Sequence, residues 1–405
     1  MTIGIGGSAI QDELKSLICI KNKIKPIETS ENLERINKLT GLMKQKGIEA
    51  TFLDCSSNLN YFTSIKLSPS ERLHGAIIFQ NGQIVYICPE FEKQKTKELI
   101  KIEGEILTWQ ENENPSAILI NLLNDKLKKH SVIAIDEMAP LFTFDGILKA
   151  NTKFKLIIAD QLTKQCRIIK SKNEIALIKT AMKISLEAQK VTARILFEGI
   201  STTEVQKFLV DAHLILGAEK PPLFNIVLFG QASAYPHGVN YEQYLKNGDM
   251  VLIDVGAEVG GYYSDITRTY VFGDTNQFQK EIWELEKKAQ KAIYNASKIG
   301  VECEKLDKAA REVITAGGLG PKYNTPGLPH RAGHGIGLDI HEHPYIVEGN
   351  SIKLSKGMCF SNEPSICIYG KFGVRLEDHI YMTDKGPKWF TKPSFSFEDP
   401  FGYKE

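Results

Sequence analysis

The sequence reads Asp249-Met250-Val251-Leu252-Ile253-Asp254-Val255-Gly256 and, after a short glycine-bearing turn, Tyr262-Tyr263-Ser264-Asp265-Ile266-Thr267-Arg268-Thr269-Tyr270-Val271-Phe272. Both runs are rich in β-forming residues, and together they predict a hairpin. If the hairpin turns immediately after Val259, Asp254 lies opposite Asp265, with their Cβ atoms about 5 Å apart. Two opposed carboxylates in an apolar ribbon are unfavourable unless one is protonated or a counter-charge lies between them. A divalent metal ion is the simplest such counter-charge.

Each of these two aspartates also has an ordinary structural explanation. Asp265 could cap a turn or pair with Arg268, and Asp254 could simply end its strand. Residues further along the chain favour the metal site, because they add three more candidate ligands: His334, Glu363 and Glu377.

The first two of these ligands lie in unusual local sequences. His334 stands in the glycine-rich stretch His330–His343, and glycines let a backbone approach a ligand closely. Glu363 follows the apolar run Gly357–Asn362 with no obvious basic neighbour, and Pro364 then ends or bulges that strand. A lone histidine in such a loop would be structural, so the interpretation depends on the whole set of ligands.

Glu377 lies in the stretch Gly373–Tyr381, where period-two alternation places Arg375, Glu377 and His379 on one face. An ion pair between Arg375 and Glu377 on a solvated face is the commoner explanation of such spacing. We interpret His379, and His343 in the glycine-rich stretch, as structural histidines.

The order and spacing of the five ligands resemble the "pita-bread" metallopeptidases, peptidase family M24, in the branch that acts on Xaa-Pro bonds. The resemblance spans essentially the whole chain and is carried by the strings Asp-Val-Gly, Ser-Asp-Ile-Thr-Arg-Thr, His-Gly-Ile-Gly-Leu-Asp-Ile-His-Glu, Ser-Asn-Glu-Pro and Val-Arg-Leu-Glu-Asp. Five ligands in order are far more specific than any short motif. Methionine aminopeptidases share the ligand set but resemble this chain less well, and creatinase-like relatives lose metal ligands.

The resemblance implies an α+β fold with a C-terminal pita-bread (creatinase/aminopeptidase-like) catalytic domain. A small α/β creatinase-type N-terminal domain precedes it. We place a lead segment at 1–29, the N-terminal domain at 30–165 and the catalytic domain at 166–405. A polar-apolar helix over 32–46, and strands near 51–53, 74–79 and 84–87, agree with a small α/β domain.

Helix signals in the catalytic region are clear. Ser171 and Glu174 have capping-box spacing before a long amphipathic helix, and Ser201 and Glu204 repeat that spacing before the next one. A third amphipathic helix covers roughly 276–297. We expect these helices to pack behind a curved, mainly antiparallel sheet.

Four carboxylates and one imidazole are ligands that suit Mn, Fe, Co or Zn rather than soft copper sites. The resemblance implies two divalent ions, Mn first and Co, Zn or Fe as alternatives. In that scheme Asp265 and Glu377 bridge the ions, Asp254 serves one, and His334 and Glu363 serve the other. Two cations would generate a bridging hydroxide nucleophile near neutral pH and polarise the scissile carbonyl. Glu363 would also relay a proton to the leaving nitrogen.

Three histidines match positions of the resembling family by their offsets from the ligands: His237, His330 and His341. The resemblance implies that they bind the substrate and stabilise the tetrahedral oxyanion, as catalytic and substrate-binding groups. Each could instead be a satisfied core or loop histidine. Arg375 is expected to orient a bridging carboxylate without binding metal itself.

The resemblance implies hydrolysis of a small peptide with proline at P1′, and we favour a Xaa-Pro dipeptidase. One departure bears on this choice, because Tyr345 stands where some dipeptidase relatives place an arginine after the His-Glu-x-Pro string. A Xaa-Pro aminopeptidase acting on longer peptides is the first alternative. The others are a metal-dependent hydrolase of a small non-peptide amide and a non-catalytic peptide-binding module.

Composition is that of an ordinary intracellular enzyme. The 405 residues carry a formal net charge of +1 and are 42% hydrophobic, so neither nucleic acid nor a membrane is an expected partner. No secretory signal pattern opens the sequence, and seven cysteines without a C-x-x-C motif favour reduced thiols. We therefore expect a cytoplasmic protein, and the resemblance adds a homodimer.

Overall fold

The computed structural model describes residues 2–21, 24–151 and 153–404. The chain divides into two compact units, one comprising Lys25–Arg167 and the other Met1–Ile24 together with Ile168–Glu405. The expected lead segment 1–29 is therefore shared between the units, and its helix α1 (Ile10–Ser16) belongs to the C-terminal one. The boundary between the two units lies after the helix that ends at Arg167, close to the boundary expected between residues 165 and 166.

A mixed six-stranded sheet forms the centre of the N-terminal unit, in the order β4-β3-β2-β1-β5-β6. Its strands are β1 (Ala50–Asp54), β2 (Gly75–Phe79), β3 (Ile84–Pro89), β4 (Glu105–Trp109), β5 (Val132–Ile135) and β6 (Lys155–Ile158). Its helices are α2 (Thr29–Lys46), α3 (Ser57–Thr63), α4 (Lys93–Leu99), α5 (Pro115–Lys126), α6 (Leu141–Ala150) and α7 (Asp160–Arg167). The predicted first helix and the three predicted strands are confirmed.

Four long helices of the C-terminal unit are α8 (Lys172–Arg194), α9 (Thr202–Leu216), α10 (Gln277–Ala296) and α11 (Cys303–Ala316). Both predicted capping boxes are present, because the side chains of Ser171 and Ser201 accept from the backbone N–H groups three residues later. A third capping box, formed by Asn276 and Gln279, begins α10.

The strands of the C-terminal unit pair antiparallel throughout the described residues. One sheet has the order β11-β8-β7, a second has the order β13-β12-β14-β17-β18, and β9–β10 and β15–β16 form separate two-stranded ribbons. The ranges are β7 (Asn225–Phe229), β8 (Met250–Val255), β9 (Glu258–Val259), β10 (Tyr262–Tyr263), β11 (Ile266–Val271), β12 (Gly333–Gly335), β13 (Glu342–Ile346), β14 (Cys359–Asn362), β15 (Ser365–Ile368), β16 (Phe372–Arg375), β17 (Asp378–Thr383) and β18 (Gly386–Trp389).

The predicted register of the hairpin was wrong by two residues. Val259 pairs with Tyr262, so the turn consists of Gly260 and Gly261, and Asp254 lies opposite Thr267 rather than Asp265. Both glycines have positive φ, +59° and +83°. A two-residue hairpin turn needs such φ values, and glycine adopts them without strain. Because the error is an even number of residues, it moves no side chain to the other face of the sheet.

The helices cover an apolar core that holds these strands in place. Trp283 of α10 is buried and donates its indole N–H to the carbonyl of Thr269 on β11, at 2.9 Å. All seven cysteines are free thiols, in agreement with the expected reduced state. No helix among the described residues has both the length and the apolar character that a membrane crossing requires.

Candidate metal centre

The structure brings all five predicted ligands together at the ends of short strands. Ligand atoms of Asp254, Asp265 and Glu377 lie within 4.8 Å of one another, as do those of His334, Glu363 and Glu377. Asp254 is in β8, Asp265 immediately precedes β11, and His334 is in β12. Glu363 follows β14 and Glu377 precedes β17, so each ligand comes from a different part of the fold.

His334 and Glu363 are held by one shared serine. The Ser361 hydroxyl accepts from the backbone N–H of His334 at 2.8 Å and donates to Glu363 Oε1 at 3.0 Å. The His334 ring places Nδ1 3.0 Å from the carbonyl oxygen of Gly335, so Nδ1 is the nitrogen that donates. Nε2 then faces Glu363 Oε1 at 3.0 Å, which leaves it available as a ligand atom.

Burial and mutual repulsion disfavour charge on two of these carboxyl groups, those of Asp265 and Glu377, without a cation. Burial, then the charge of Glu377, raises the pKa of Asp265 well above its ordinary value. Burial, then the charge of Glu363, does the same to the pKa of Glu377. Among the described residues, no hydrogen-bond donor reaches Asp254 Oδ1, Asp265 Oδ1 or Glu377 Oε1. Buried carboxylate oxygens without donors fit hard divalent cations, so the residues suit a metal.

Two of the structural alternatives for this region are excluded. Arg268 does not pair with Asp265, because its Nη2 donates to Asp378 at 2.7 Å and its Nη1 to the carbonyl of Glu377 at 2.9 Å. Arg375 and Glu377 do not lie on a solvated face, since they are 4% and 1% exposed.

Arg375 connects two of the carboxylates from outside the cluster. Its Nη2 donates to Asp254 Oδ2 at 2.5 Å, and its Nε donates to the Thr267 hydroxyl at 2.9 Å. Thr267 in turn donates to Glu377 Oε2 at 2.7 Å. Burial opposes the guanidinium charge, but the charges of Asp254 and the other carboxylates of the cluster together outweigh it and raise the pKa of Arg375. Its direct partner is thus Asp254, and it reaches Glu377 through Thr267.

A cavity of about 670 Å³ opens beside the cluster, and all three predicted histidines line it. The ring of His341 lies 4.2 Å from that of His334, centroid to centroid, and a nitrogen of His341 lies within 4.8 Å of ligand atoms of Asp265 and His334. Partial burial, then the charge of His334, lowers the pKa of His341 to about 4. The Nδ1 of His330 donates to the carbonyl of Arg331 at 2.7 Å.

Sequence reasoning missed several residues of the cavity and its supports. Arg331 lines the cavity and places its guanidinium carbon 4.4 Å from the ring centroid of Tyr345. Tyr369 also lines it, with its ring 5.2 Å from that of Tyr235. Thr267 was available as a signal, because a turn centred on the glycine pair places it opposite Asp254. The remaining apolar lining is Phe224, Ile226, Pro236, Pro329 and Ile340.

An ion pair on α11 holds the segment that leads into the cluster. Arg311 and Asp307 form two hydrogen bonds, of 2.7 and 3.1 Å. Arg311 also donates to the carbonyls of His330 at 2.6 Å and Leu328 at 2.9 Å, while Asp307 accepts from the N–H of Ala332 at 3.1 Å. We call this pair and its contacts the α11 clamp. It fixes the backbone on both sides of Arg331, directly before His334.

Two segments of the chain each match a known protein-family model. Residues 176–384 match metallopeptidase family M24, and residues 35–169 match the creatinase/prolidase N-terminal domain. The chain therefore belongs to metallopeptidase family M24, which confirms the predicted family and the predicted fold class. This family depends on two divalent metal ions, and the cluster described above is a possible site for them.

Several relatives are similar to this chain over nearly their whole length. The Xaa-Pro dipeptidase of Pyrococcus furiosus is 34% identical over 361 residues, which cover 89% of this chain and 98% of the relative. The crystal structure of a prolidase from Thermococcus sibiricus has a TM-score of 0.82 at 31% identity and covers 91% of this chain and 98% of its own. An X-Pro aminopeptidase from Thermotoga maritima has a TM-score of 0.77 at 29% identity and covers 89% and 98%.

Proposed function

We propose that this protein hydrolyses the peptide bond that precedes proline, and that Xaa-Pro dipeptides are its preferred substrates. The observation that carries the proposal is the cluster of four carboxylates and one imidazole at the wall of a 670 Å³ cavity. Similarity to the Xaa-Pro dipeptidase of Pyrococcus furiosus and to the Thermococcus sibiricus prolidase supports the choice of bond.

The predicted ligand scheme remains our proposal for the metals. Asp265 and Glu377 would contact both ions, Asp254 one of them, and His334 and Glu363 the other. The oxygens of Asp254, Asp265 and Glu377 that no described donor reaches support this arrangement. Divalent ions at these residues supply an activated water and a Lewis acid for the scissile carbonyl. We favour Mn, with Co, Zn and Fe as alternatives for this ligand set.

The remaining site residues act on the substrate and on its protons. Glu363, held by Ser361 and His334, would take a proton from the attacking water and pass it to the leaving nitrogen. His330, His341 and His237 line the same cavity and would bind the substrate. His341 and His237 would donate hydrogen bonds to the oxygen on which charge develops, whereas Nε2 of His330, whose Nδ1 already donates to the Arg331 carbonyl, would act as an acceptor. Arg375 would hold Asp254 in place for its metal.

The cavity lining supports a preference for proline. Phe224, Ile226 and Tyr369 offer an apolar wall that suits the pyrrolidine ring. A prolyl amide has no N–H group, so the site needs no acceptor for that position.

Hydrolysis of longer peptides is the second candidate, because the X-Pro aminopeptidase of Thermotoga maritima is similar to this chain over nearly its whole length. The expected homodimer and the expected cytoplasmic location stay predictions, and light scattering of the purified protein tests the first.

The decisive experiment compares Ala-Pro, Ala-Pro-Ala and Ala-Ala as substrates. The protein is stripped of metal with a chelator and then restored separately with Mn, Co and Zn. Metal-dependent cleavage of Ala-Pro, with little of the other two, supports the dipeptidase. Preference for Ala-Pro-Ala supports the aminopeptidase. Inactivity on all three with metal bound contradicts a Xaa-Pro peptidase and favours a hydrolase of small non-peptide amides.

A further inference from the structure

Arg331 is a cation in the cavity wall that no carboxylate of the described residues engages. Among the described residues, no carboxylate oxygen lies within 4.0 Å of its side-chain nitrogens, and the contact that orients it is with the ring face of Tyr345. The other arginine of the wall, Arg375, is fully engaged by Asp254, Thr267 and a backbone carbonyl. Arg331 is therefore the guanidinium that remains available to a ligand in this cavity.

The position of Arg331 is fixed even though its charge is free. The α11 clamp binds the backbone of the residues on either side, His330 and Ala332. Tyr345 stacks against the guanidinium at 4.4 Å, a geometry that stabilises a cation and limits its rotation. A guanidinium held in this way loses little conformational freedom when it binds a carboxylate, so it is preorganised for that ligand.

Tyr345 supports the positive charge of Arg331 in the cavity wall. Tyr345 follows Pro344 on β13 and carries no positive charge of its own. The tyrosine does not leave the cavity without a cation, because it supports the guanidinium of Arg331. The positive charge thus comes from the loop before β12 rather than from β13, which contains Tyr345.

We propose that the Arg331 guanidinium binds the C-terminal carboxylate of a dipeptide in this cavity, and so makes the protein select dipeptides over longer chains. The inference rests on the proposed Xaa-Pro hydrolysis. Arg331 precedes His334 by three residues, so their Cα atoms lie at most about 11 Å apart, while two extended residues span about 7 Å. A dipeptide at the cluster can therefore extend its carboxylate toward Arg331, whereas a longer peptide presents an uncharged amide there.

The test compares two substrates that differ only in this charge, Ala-Pro and its amide, Ala-Pro-NH2. Wild type is expected to prefer Ala-Pro. In Arg331→Gln the ratio of kcat/KM for Ala-Pro to that for the amide should fall at least roughly 10-fold, with the loss mainly in KM, because a charge-assisted hydrogen bond is lost. Arg72→Gln is the matched control, since Arg72 is a surface arginine of the N-terminal unit paired with Glu111.

A second variant protects the test against a change in folding. Arg331→Gln combined with Tyr345→Arg returns a guanidinium to the same part of the cavity wall, because Tyr345 contacts the Arg331 side chain, and it should restore most of the lost preference for Ala-Pro. A merely structural role of Arg331 does not predict this recovery. A binding measurement adds a readout that needs no turnover: calorimetry should detect weaker binding of free proline to Arg331→Gln, with prolinamide affected less.

Each other outcome overturns the inference in a recognisable way. Equal losses on Ala-Pro and on its amide would make Arg331 a support of the site rather than a carboxylate ligand. Asp-Pro is assayed alongside these substrates, and a loss confined to Asp-Pro would mean that Arg331 recognises an acidic residue at P1. Failure of the proposed function is distinguishable, because wild type would then cleave none of these peptides with metal bound, while the proline and prolinamide titrations would still report on Arg331.

Discussion

Arg375 donates a 2.5 Å hydrogen bond to Asp254 Oδ2, and it reaches Glu377 through the Thr267 hydroxyl. One buried cation thus orients two carboxylates of the cluster, one in β8 and the other between β16 and β17. The fork geometry of a guanidinium makes this possible, because separate nitrogens hold separate partners at fixed angles.

Replacement of Arg375 by lysine should weaken metal binding while the fold is retained. A lysine keeps the charge but holds fewer partners at fixed angles, so Asp254 and Thr267 cannot both be oriented. We expect metal affinity to fall roughly 10- to 100-fold, as is typical when a partner that orients a ligand is lost. Competition with a chromophoric chelator measures the affinity. Arg194→Lys is the control, since Arg194 pairs with Glu13 away from the cluster. Equal affinities in the two variants would contradict the role given to Arg375.

Asp265→Asn should abolish metal binding and turnover together. The proposed scheme places Asp265 between the two ions, and an amide oxygen cannot supply the bridging charge. Elemental analysis of the purified variant gives the metal content. Asp384→Asn provides the comparison, because Asp384 is an exposed partner of Lys356. A full complement of metal and near-normal rates in Asp265→Asn would exclude the dinuclear scheme.

The same substitution should stabilise the metal-free protein, and more so at higher pH. Burial, then the charge of Glu377, raises the pKa of Asp265 above its unfolded value. The folded state therefore binds more protons, and wild type loses stability as pH rises from the unfolded pKa, about 4, through the raised folded value. Asp265→Asn lacks this loss. Thermal unfolding in the presence of a chelator should show its advantage over wild type growing from pH 5 to pH 8, and a constant difference would contradict the argument.

The hairpin shows how far the sequence predicts this site. Asp254 and Asp265 were recognised as a pair from their residue types and their approximate spacing, and the structure does bring them together. Their register was misjudged because the turn was placed before the glycine pair instead of on it. The prediction that the two aspartates share one face of the hairpin stayed correct, because an even shift preserves the face on which each side chain lies.

Other contacts of the site cannot be predicted from local sequence patterns. The capping boxes at Ser171 and Ser201 are short-range signals and were predicted correctly. The contact between Arg331 and Tyr345 joins residues from different parts of the fold, and neither local sequence predicts it. The same holds for Arg311, whose partners lie up to 19 residues away along the chain. Such contacts depend on tertiary packing, so the sequence identified the candidate ligands but not what surrounds them.

The glycine pair itself can be tested. Gly260→Ala should destabilise the protein, because an L-residue at φ +59° costs roughly 1–2 kcal/mol and the added Cβ would lie 2.9 Å from Leu177 Cδ2. Gly300→Ala separates the two effects, since Gly300 also has positive φ but has no atom within 4 Å of the added Cβ. Denaturant unfolding should give the larger loss for Gly260→Ala. Equal losses would mean that the contact with Leu177 relaxes without cost.

Because the α11 clamp holds the segment before His334, we expect this segment to become more mobile when Asp307 is changed. Asp307→Asn leaves the buried Arg311 charge without its carboxylate partner, and breaking a buried pair costs about 3–5 kcal/mol. Hydrogen exchange should accelerate at Ala332, because its N–H, which also donates to the carbonyl of Ile346 at 3.0 Å, loses the charged acceptor Asp307. Glu312→Gln is the matched control, because Glu312 pairs with Lys308 on the exposed face of the same helix. Unchanged exchange at Ala332 in Asp307→Asn would show that other contacts fix this segment.

Glu363→Gln should separate proton transfer from metal binding. The substitution keeps the size of the side chain and an oxygen that can still face His334, but it removes the basic carboxylate proposed to relay the proton. We expect turnover of Ala-Pro to fall at least roughly 100-fold, which corresponds to about 2.7 kcal/mol at the barrier. The variant should retain more metal than Asp265→Asn, because Glu363 is assigned to one ion and Asp265 to both. Near-normal turnover would remove Glu363 from the mechanism. Loss of all metal would instead make its role that of a ligand alone, because the missing rate would then follow from the missing ions.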